Sequence, residues 1–162
     1  HLANAGVDVG VLLFNDPAAL RGDALIAWNV FRKAGGDCRA VDARKDADAI
    51  DRELRGADWI VDALLGTGVR GEVREPDATA IRLINAAHRK VLAMDLPSGL
   101  DADEGVPLGS CVKANATITF VARKRGFNVS GSSEWTGEVD VADIGAPAGW
   151  LKKLIAAWDA GS

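Results

Sequence analysis

The chain has 162 residues, enough for one domain with its own core. A net charge of −4 with acids and bases interspersed excludes a nucleic-acid footprint, and no apolar run approaches bilayer length. Cys38 and Cys111 lie in separate segments and form neither a disulfide framework nor a metal cluster, so a soluble protein in a reducing, cytoplasmic compartment is expected.

The opening His1 to Val7 reads as the last turn of a helix, its Gly6 C-cap and the start of a strand. That reading predicts a preceding strand, a loop and most of a helix upstream of His1. Val7 to Phe14 is an almost continuous apolar run, as a parallel strand buried on both faces requires, and Asn15-Asp16-Pro17 breaks it. Helical spacing of Ala24, Ala27, Trp28, Phe31 and Ala34 predicts a helix over 22–34, closed by Gly35-Gly36. A short strand follows at Cys38 to Val41. A helix over 46–54 carries Ala47, Ile50 and Leu54 on one face. Trp59 to Leu65 reads as a strand, Gly66 to Glu75 as a loop, and Asp77 to Ala87 as a helix with Ala80, Ile81, Ile84 and Ala87 inward. Strands are predicted at Val91 to Leu96, Ala116 to Val121 and Gly137 to Ile144; the stretch from Pro97 to Asn115 carries no helix signal. Such alternation implies an α/β fold, with helices on both faces of a mostly parallel central sheet. Residues 1–147 form the expected domain. The tail 148–162, with Leu151, Leu154, Ile155 and Trp158 at helical spacing, is a C-terminal packing helix or a linker to a further domain.

Gly66-Thr67-Gly68-Val69-Arg70-Gly71 is a literal G-x-G-x-x-G after a strand, with Asp95 closing the next strand. Taken alone, it points to an NAD-dependent oxidoreductase. In that fingerprint, however, the helix begins on the glycine loop, so that its N–H groups meet the pyrophosphate. Here Glu72, Glu75 and Pro76 intervene, and Pro76 places the helix start near itself. The glycine segment is therefore an independent loop whose backbone can approach phosphate closely.

Two acids sit at strand ends: Asp62 in VDALL and Asp95 in VLAMDLPSG. A carboxylate in a buried strand is costly unless it binds a cation or accepts several hydrogen bonds. Open parallel sheets bind ligands just beyond their carboxyl ends, which makes Asp95 the best single candidate for chemistry. Asp95 also suits a purely local role, capping the Pro-Ser-Gly turn, and spacing alone leaves both readings open.

The segments VDALLGTGVRGEVREP (61–76), VLAMDLPSGLDADEGVPLG (91–109), KANATITFVARKRG (113–126) and TGEVDVADIGAP (136–147) occur in order and together resemble the NAD(P)HX epimerase family, also called YjeF N-terminal domains. The resemblance implies a Rossmann-like three-layer αβα sandwich, homodimerisation, and a fused or partner dehydratase domain. It implies that Asp62 and Ser98 help to hold a potassium ion. It also implies that Gly66, Thr67, Gly68, Val69, Arg70, Gly71, Glu72 and Asp95 contact NAD(P)HX, the hydrated dinucleotide substrate. Three departures stand out. The family's G-N-N-G-G-D-G loop belongs upstream of His1, Arg70 occupies a position often held by Lys, and Asn115 stands where Asp is common. Arg keeps the charge with a different donor geometry and does not give up a proton.

The implied activity is interconversion of the R and S forms of NAD(P)HX, with Asp95 as catalytic acid and base beside a reduced nicotinamide ring hydroxylated at C6. On this reading Asp62 and Asp95 converge on one cleft. A non-catalytic scaffold of the same fold, binding protein or RNA, is the alternative, together with the oxidoreductase. His88 reads as a solvated helix-end residue; Arg123-Lys124-Arg125 suits either a phosphate in the site or, the favoured reading, a solvated loop; and Trp135 suits stacking on a ring or, more often for a Trp near a strand, a core or interface place.

Overall fold

A computed structural model describes residues 1–14, 16–147, 149 and 153. A 3-10 turn at Ala3–Ala5 ends on Gly6 at φ 83°, the left-handed cap anticipated from sequence. The order is then β1 (Gly10–Leu13), α1 (Gly22–Lys33), β2 (Asp37–Ala40), α2 (Ala47–Gly56), β3 (Trp59–Asp62), α3 (Asp77–Ala86), β4 (Lys90–Met94), β5 (Ala116–Phe120), α4 (Ser133–Thr136) and β6 (Glu138–Ala142). The C-terminal helix anticipated over 148–158 lies outside the described residues apart from Gly149 and Lys153.

The architecture is α/β and every strand pair is parallel. The strands fall into two sheets, β1-β2 and β3-β4-β5-β6, with no ladder joining them among the described residues. Strand positions alternate as a pleat requires: Ile60 and Asp62 of β3 are buried, whereas Trp59 and Val61 on the other face are exposed. Ile60, Val91 and Ala93 pack with Ala78, Ile81 and Ile84 of α3 to form the main core. Helix α2 lies beside α3, where the Arg55 guanidinium donates to the Ala86 carbonyl at 3.0 Å. A smaller core gathers Leu96, Leu100, Cys111 and Phe127. Burial pushes the Cys111 thiol up to about 12, which keeps it an inert packing group.

Helix α3 begins at Asp77, immediately after Pro76. Glu75 Oε2 accepts from the Thr79 N–H (3.1 Å) and hydroxyl (2.6 Å), so a side chain satisfies the first turn. The glycine loop consequently offers no helix N-terminus to a pyrophosphate, which removes the structural basis of the dehydrogenase fingerprint.

Between β4 and β5 the chain runs from Asp95 to Asn115 without a helix, as its sequence implies. Glycine makes this crossover possible where backbones touch. A Cβ on Gly99, at φ 89°, would lie 2.0 Å from the Ser110 carbonyl oxygen. Asn115 anchors the far end, its Oδ1 accepting from the Val91 N–H at 2.8 Å. That bond needs only an acceptor, so Asn serves there as well as Asp.

Candidate active site at the strand ends

Strand β3 stops at Asp62, three residues short of the expected Leu65, because its carboxylate redirects the chain. Oδ2 accepts from the Ser98 N–H at 2.8 Å and Oδ1 from the Ser98 hydroxyl at 2.6 Å. Oδ1 also accepts from the Leu64 N–H at 3.3 Å, and the Ser98 oxygen accepts from the Leu65 N–H at 2.9 Å. Asp62 and Ser98 are each 1% exposed, which makes this a sealed knot between two strand ends. Burial pushes the Asp62 carboxyl upward, opposed by the Ser98 and Leu64 donors.

Among the described residues no Lys or Arg forms an ion pair with Asp62. A buried carboxylate has room for about four hydrogen-bond partners and this one has three, while the Ser98 oxygen retains a lone pair. The Leu65 carbonyl oxygen lies 3.4 Å from that hydroxyl. A buried carboxyl group with no paired cation among the described residues, and with hydroxyl and carbonyl oxygens beside it, is a donor set that fits a hard monovalent cation.

Asp95 ends β4 differently. Its N–H completes the ladder to the Ile118 carbonyl at 2.7 Å, and its φ of 67° then turns the chain sharply. Asp tolerates that left-handed conformation better than most residues, and such strain gathers at functional sites. The Asp95 carboxylate is held through one oxygen. Oδ1 accepts from the Thr119 hydroxyl and the Phe120 N–H, each at 3.1 Å, and from the Lys124 ammonium at 2.6 Å. Burial pushes this carboxyl up, but the Lys124 ammonium, the Phe120 N–H and the Thr119 hydroxyl outweigh it and hold the group below the usual carboxylate range.

Asp95 lines an open cleft of about 370 Å³ with Thr67, Arg70, Asp103, Lys124 and Arg125. That volume takes a heterocyclic ring and its near substituents. Asp62 does not line this cleft. The two acids are neighbours on adjacent strands, but Asp62 is turned to Ser98 and enclosed, so the expected single cleft divides into a half-buried Asp95 at the cleft and a buried Asp62–Ser98 knot.

Of the glycine-loop candidates, Thr67 and Arg70 reach the cleft. The Arg70 guanidinium folds back onto its own loop, donating to the carbonyls of Thr67 (3.2 Å) and Val69 (3.1 Å). Val69 packs against the main core, and the Glu72 side chain lies over Gly109, where an added Cβ would meet its Cγ at 2.7 Å. Gly66, Gly68 and Gly71 border open space.

Lys124 is the member of the basic triplet that the structure brings to Asp95 and the cleft. Its basic triplet reads as solvated, and Arg123 and Arg125 are indeed exposed, yet Lys124 is only 20% exposed. The usable signal was Gly126-Phe127 directly behind it, a buried pair that pulls the segment inward. His88 is exposed, as expected. Trp135 packs on the smaller core with the Lys113 ammonium 4.9 Å from its ring.

The family described as YjeF-related protein N-terminus matches residues 1–126. This chain belongs to that family. The YjeF-related chain is 40% identical over 156 residues to the NAD(P)H-hydrate epimerase of Pirellula staleyi, spanning 96% of itself and 69% of that protein. It shows the same 40% identity over 156 residues to the bifunctional NAD(P)H-hydrate repair enzyme Nnr of Moorella thermoacetica, of which it spans only 29%. The crystal structure of yeast ynu0 matches with a TM-score of 0.75 at 15% identity, over 94% of this chain and 62% of that one, and shares the fold.

Proposed function

We propose that this YjeF-related domain interconverts the R and S epimers of NAD(P)HX. The single observation that carries the reading is Asp95: a strand-end carboxylate, fixed through Oδ1, that lines an open cleft of ring size. The names of its relatives supply the substrate, and the cleft supplies compatible chemistry. Breaking the C6–O bond leaves a ring cation conjugated with the ring nitrogen. A carboxylate ionised at neutral pH stabilises such a cation and suits the base and electrostatic half of the cycle. Water then adds from the other face, so the reaction neither oxidises nor reduces the ring. Thr67 and the open glycines beside it leave space for the nucleotide to approach backbone N–H groups, while Arg70 and Arg125 supply positive charge for its phosphates.

Asp62, Ser98 and the Leu65 carbonyl would hold the potassium ion. When bound, the ion supplies fixed positive charge that neutralises Asp62 beside the glycine loop. A homodimer, a dehydratase domain in the same or a partner chain, and a cytoplasmic setting complete the proposal. The bifunctional relative, of which this chain spans 29%, supports the dehydratase element.

The decisive experiment incubates the full-length protein with pure R-NADHX in 18O-water and follows the S epimer. Conversion with label at the C6 hydroxyl is the expected result. No acceleration over buffer would refute the activity, and conversion without label would refute cleavage of the C6–O bond.

A further inference from the structure

Given epimerisation at Asp95, on which this inference rests, we propose that Lys124 is the catalytic acid, delivering a proton to the hydroxyl as it leaves C6. Asp95 is poorly placed for that task. Three donors converge on its Oδ1, among them an ammonium at 2.6 Å, and all three favour the proton-free form. Proton and carboxylate therefore sit on two different groups in contact.

Lys124 is held in place far more firmly than a surface lysine. The Gly126 N–H donates to the Ala102 carbonyl at 2.7 Å, tying the segment after β5 to the segment after β4. The approach is so close that a Cβ on Gly105 would meet the Gly126 carbonyl oxygen at 2.2 Å, and a Cβ on Gly126 would meet the Gly105 nitrogen at 2.5 Å. This glycine–glycine contact sets the position from which Lys124 reaches back to the strand ends. Its ammonium has three N–H donors. Asp95 Oδ1 takes one, the Phe120 carbonyl at 3.5 Å lies near a second, and a third remains for the cleft that Lys124 lines. The other charged groups facing this pair are Arg70 from the glycine loop, Asp103 from the loop after β4, and the adjacent Arg125.

The step balances. The C6–O bond breaks, its electron pair stays on oxygen, and one Lys124 proton completes a water molecule. Ring nitrogen shares the resulting positive charge, and the Asp95 carboxylate stabilises it. A water arriving at the other face forms the new C6–O bond and releases one proton to solvent. Solvent returns one to Nζ through the open cleft, leaving no net change in protons or electrons.

Two substitutions separate an acid from a positioning charge. Lys124→Arg keeps the cation beside Asp95 but yields no proton at accessible pH, while Lys124→Met removes both. In the full-length protein, both variants should lose about 100-fold or more of kcat on R-NADHX, the usual worth of a general acid. The wild type should lose kcat/KM as pH is raised, and that alkaline loss should be absent from both variants. If Lys124→Arg retains kcat within about threefold of wild type, the acid role is overturned and Lys124 only positions Asp95. A fall confined to KM, or an alkaline limb that survives in Lys124→Met, overturns it as well. Should Lys124→Met not fold, the Arg variant alone decides. Failure of the wild type to convert R-NADHX sinks both proposals, whereas wild-type conversion matched by Lys124→Arg sinks this one alone.

Discussion

Ser98 binds the Asp62 carboxylate twice, with its N–H at 2.8 Å to one oxygen and its hydroxyl at 2.6 Å to the other. This bidentate contact joins the end of β3 to the turn after β4, and Leu65 adds its N–H to the same hydroxyl at 2.9 Å. Ser98→Ala removes the shorter of two bonds to Asp62 Oδ1 and leaves the part-buried Leu65 N–H without its acceptor. Stability should fall by about 1–3 kcal/mol in urea unfolding, since a buried polar group left unpaired loses its solvation without compensation. A loss below about 0.5 kcal/mol would show that the knot is dispensable to the fold.

Asp95→Asn preserves an acceptor oxygen for Thr119, Phe120 and Lys124 while removing the negative charge. The circular dichroism spectrum should therefore match wild type. Epimerisation of R-NADHX should fall by at least about 100-fold, because the cation-stabilising charge is lost from the cleft. Unchanged turnover in a folded Asp95→Asn protein removes this residue from the chemistry.

The same pair gives a pH signature in stability. The Asp95 carboxyl is held below its usual range in the folded protein, so its contribution is fully present above the unfolded value of about 3.9 and disappears as pH falls through the folded value. The stability difference between wild type and Asp95→Asn should stay level from about pH 8 to pH 5 and shrink below about pH 4. Asp42, Glu75 and Asp101, whose carboxyls are also held low by hydrogen bonds, titrate in both proteins and cancel. A difference that stays constant down to about pH 2.5 would contradict the ionised Asp95.

Glycine substitutions should separate contact from open space. Gly105 has φ 66° and its missing Cβ would meet the Gly126 carbonyl oxygen, so Gly105→Ala should cost roughly 2–4 kcal/mol. Gly66 borders open space, and Gly66→Ala should stay within about 0.5 kcal/mol of wild type. Equal effects at the two sites, measured by chemical denaturation, would show that the Gly105–Gly126 approach is not under constraint.

Most of the scaffold follows from local chemistry. Apolar runs broken by Asn-Asp-Pro or Gly-Gly mark β1 and the end of α1, the helical period of Ala80, Ile81 and Ile84 marks α3, and Pro76 fixes where α3 begins. These signals depend on residues a few positions apart, and a single sequence carries them in full. The same holds for Asp62 and Asp95 as strand-end acids and for the ordered motifs that tie the chain to the YjeF-related family. Their partners were decided only in three dimensions. Asp62 meets Ser98 and Asp95 meets Lys124 because parallel strands bring chain ends together that are distant in sequence, and no local pattern encodes which oxygen faces which donor. Lys124 shows the difference most clearly: its neighbours Arg123 and Arg125 spell a solvated loop, whereas Gly126 packed against Gly105 draws it under the cleft. Short-range periodicity determined what each segment became, and long-range packing determined which side chains could act on one another.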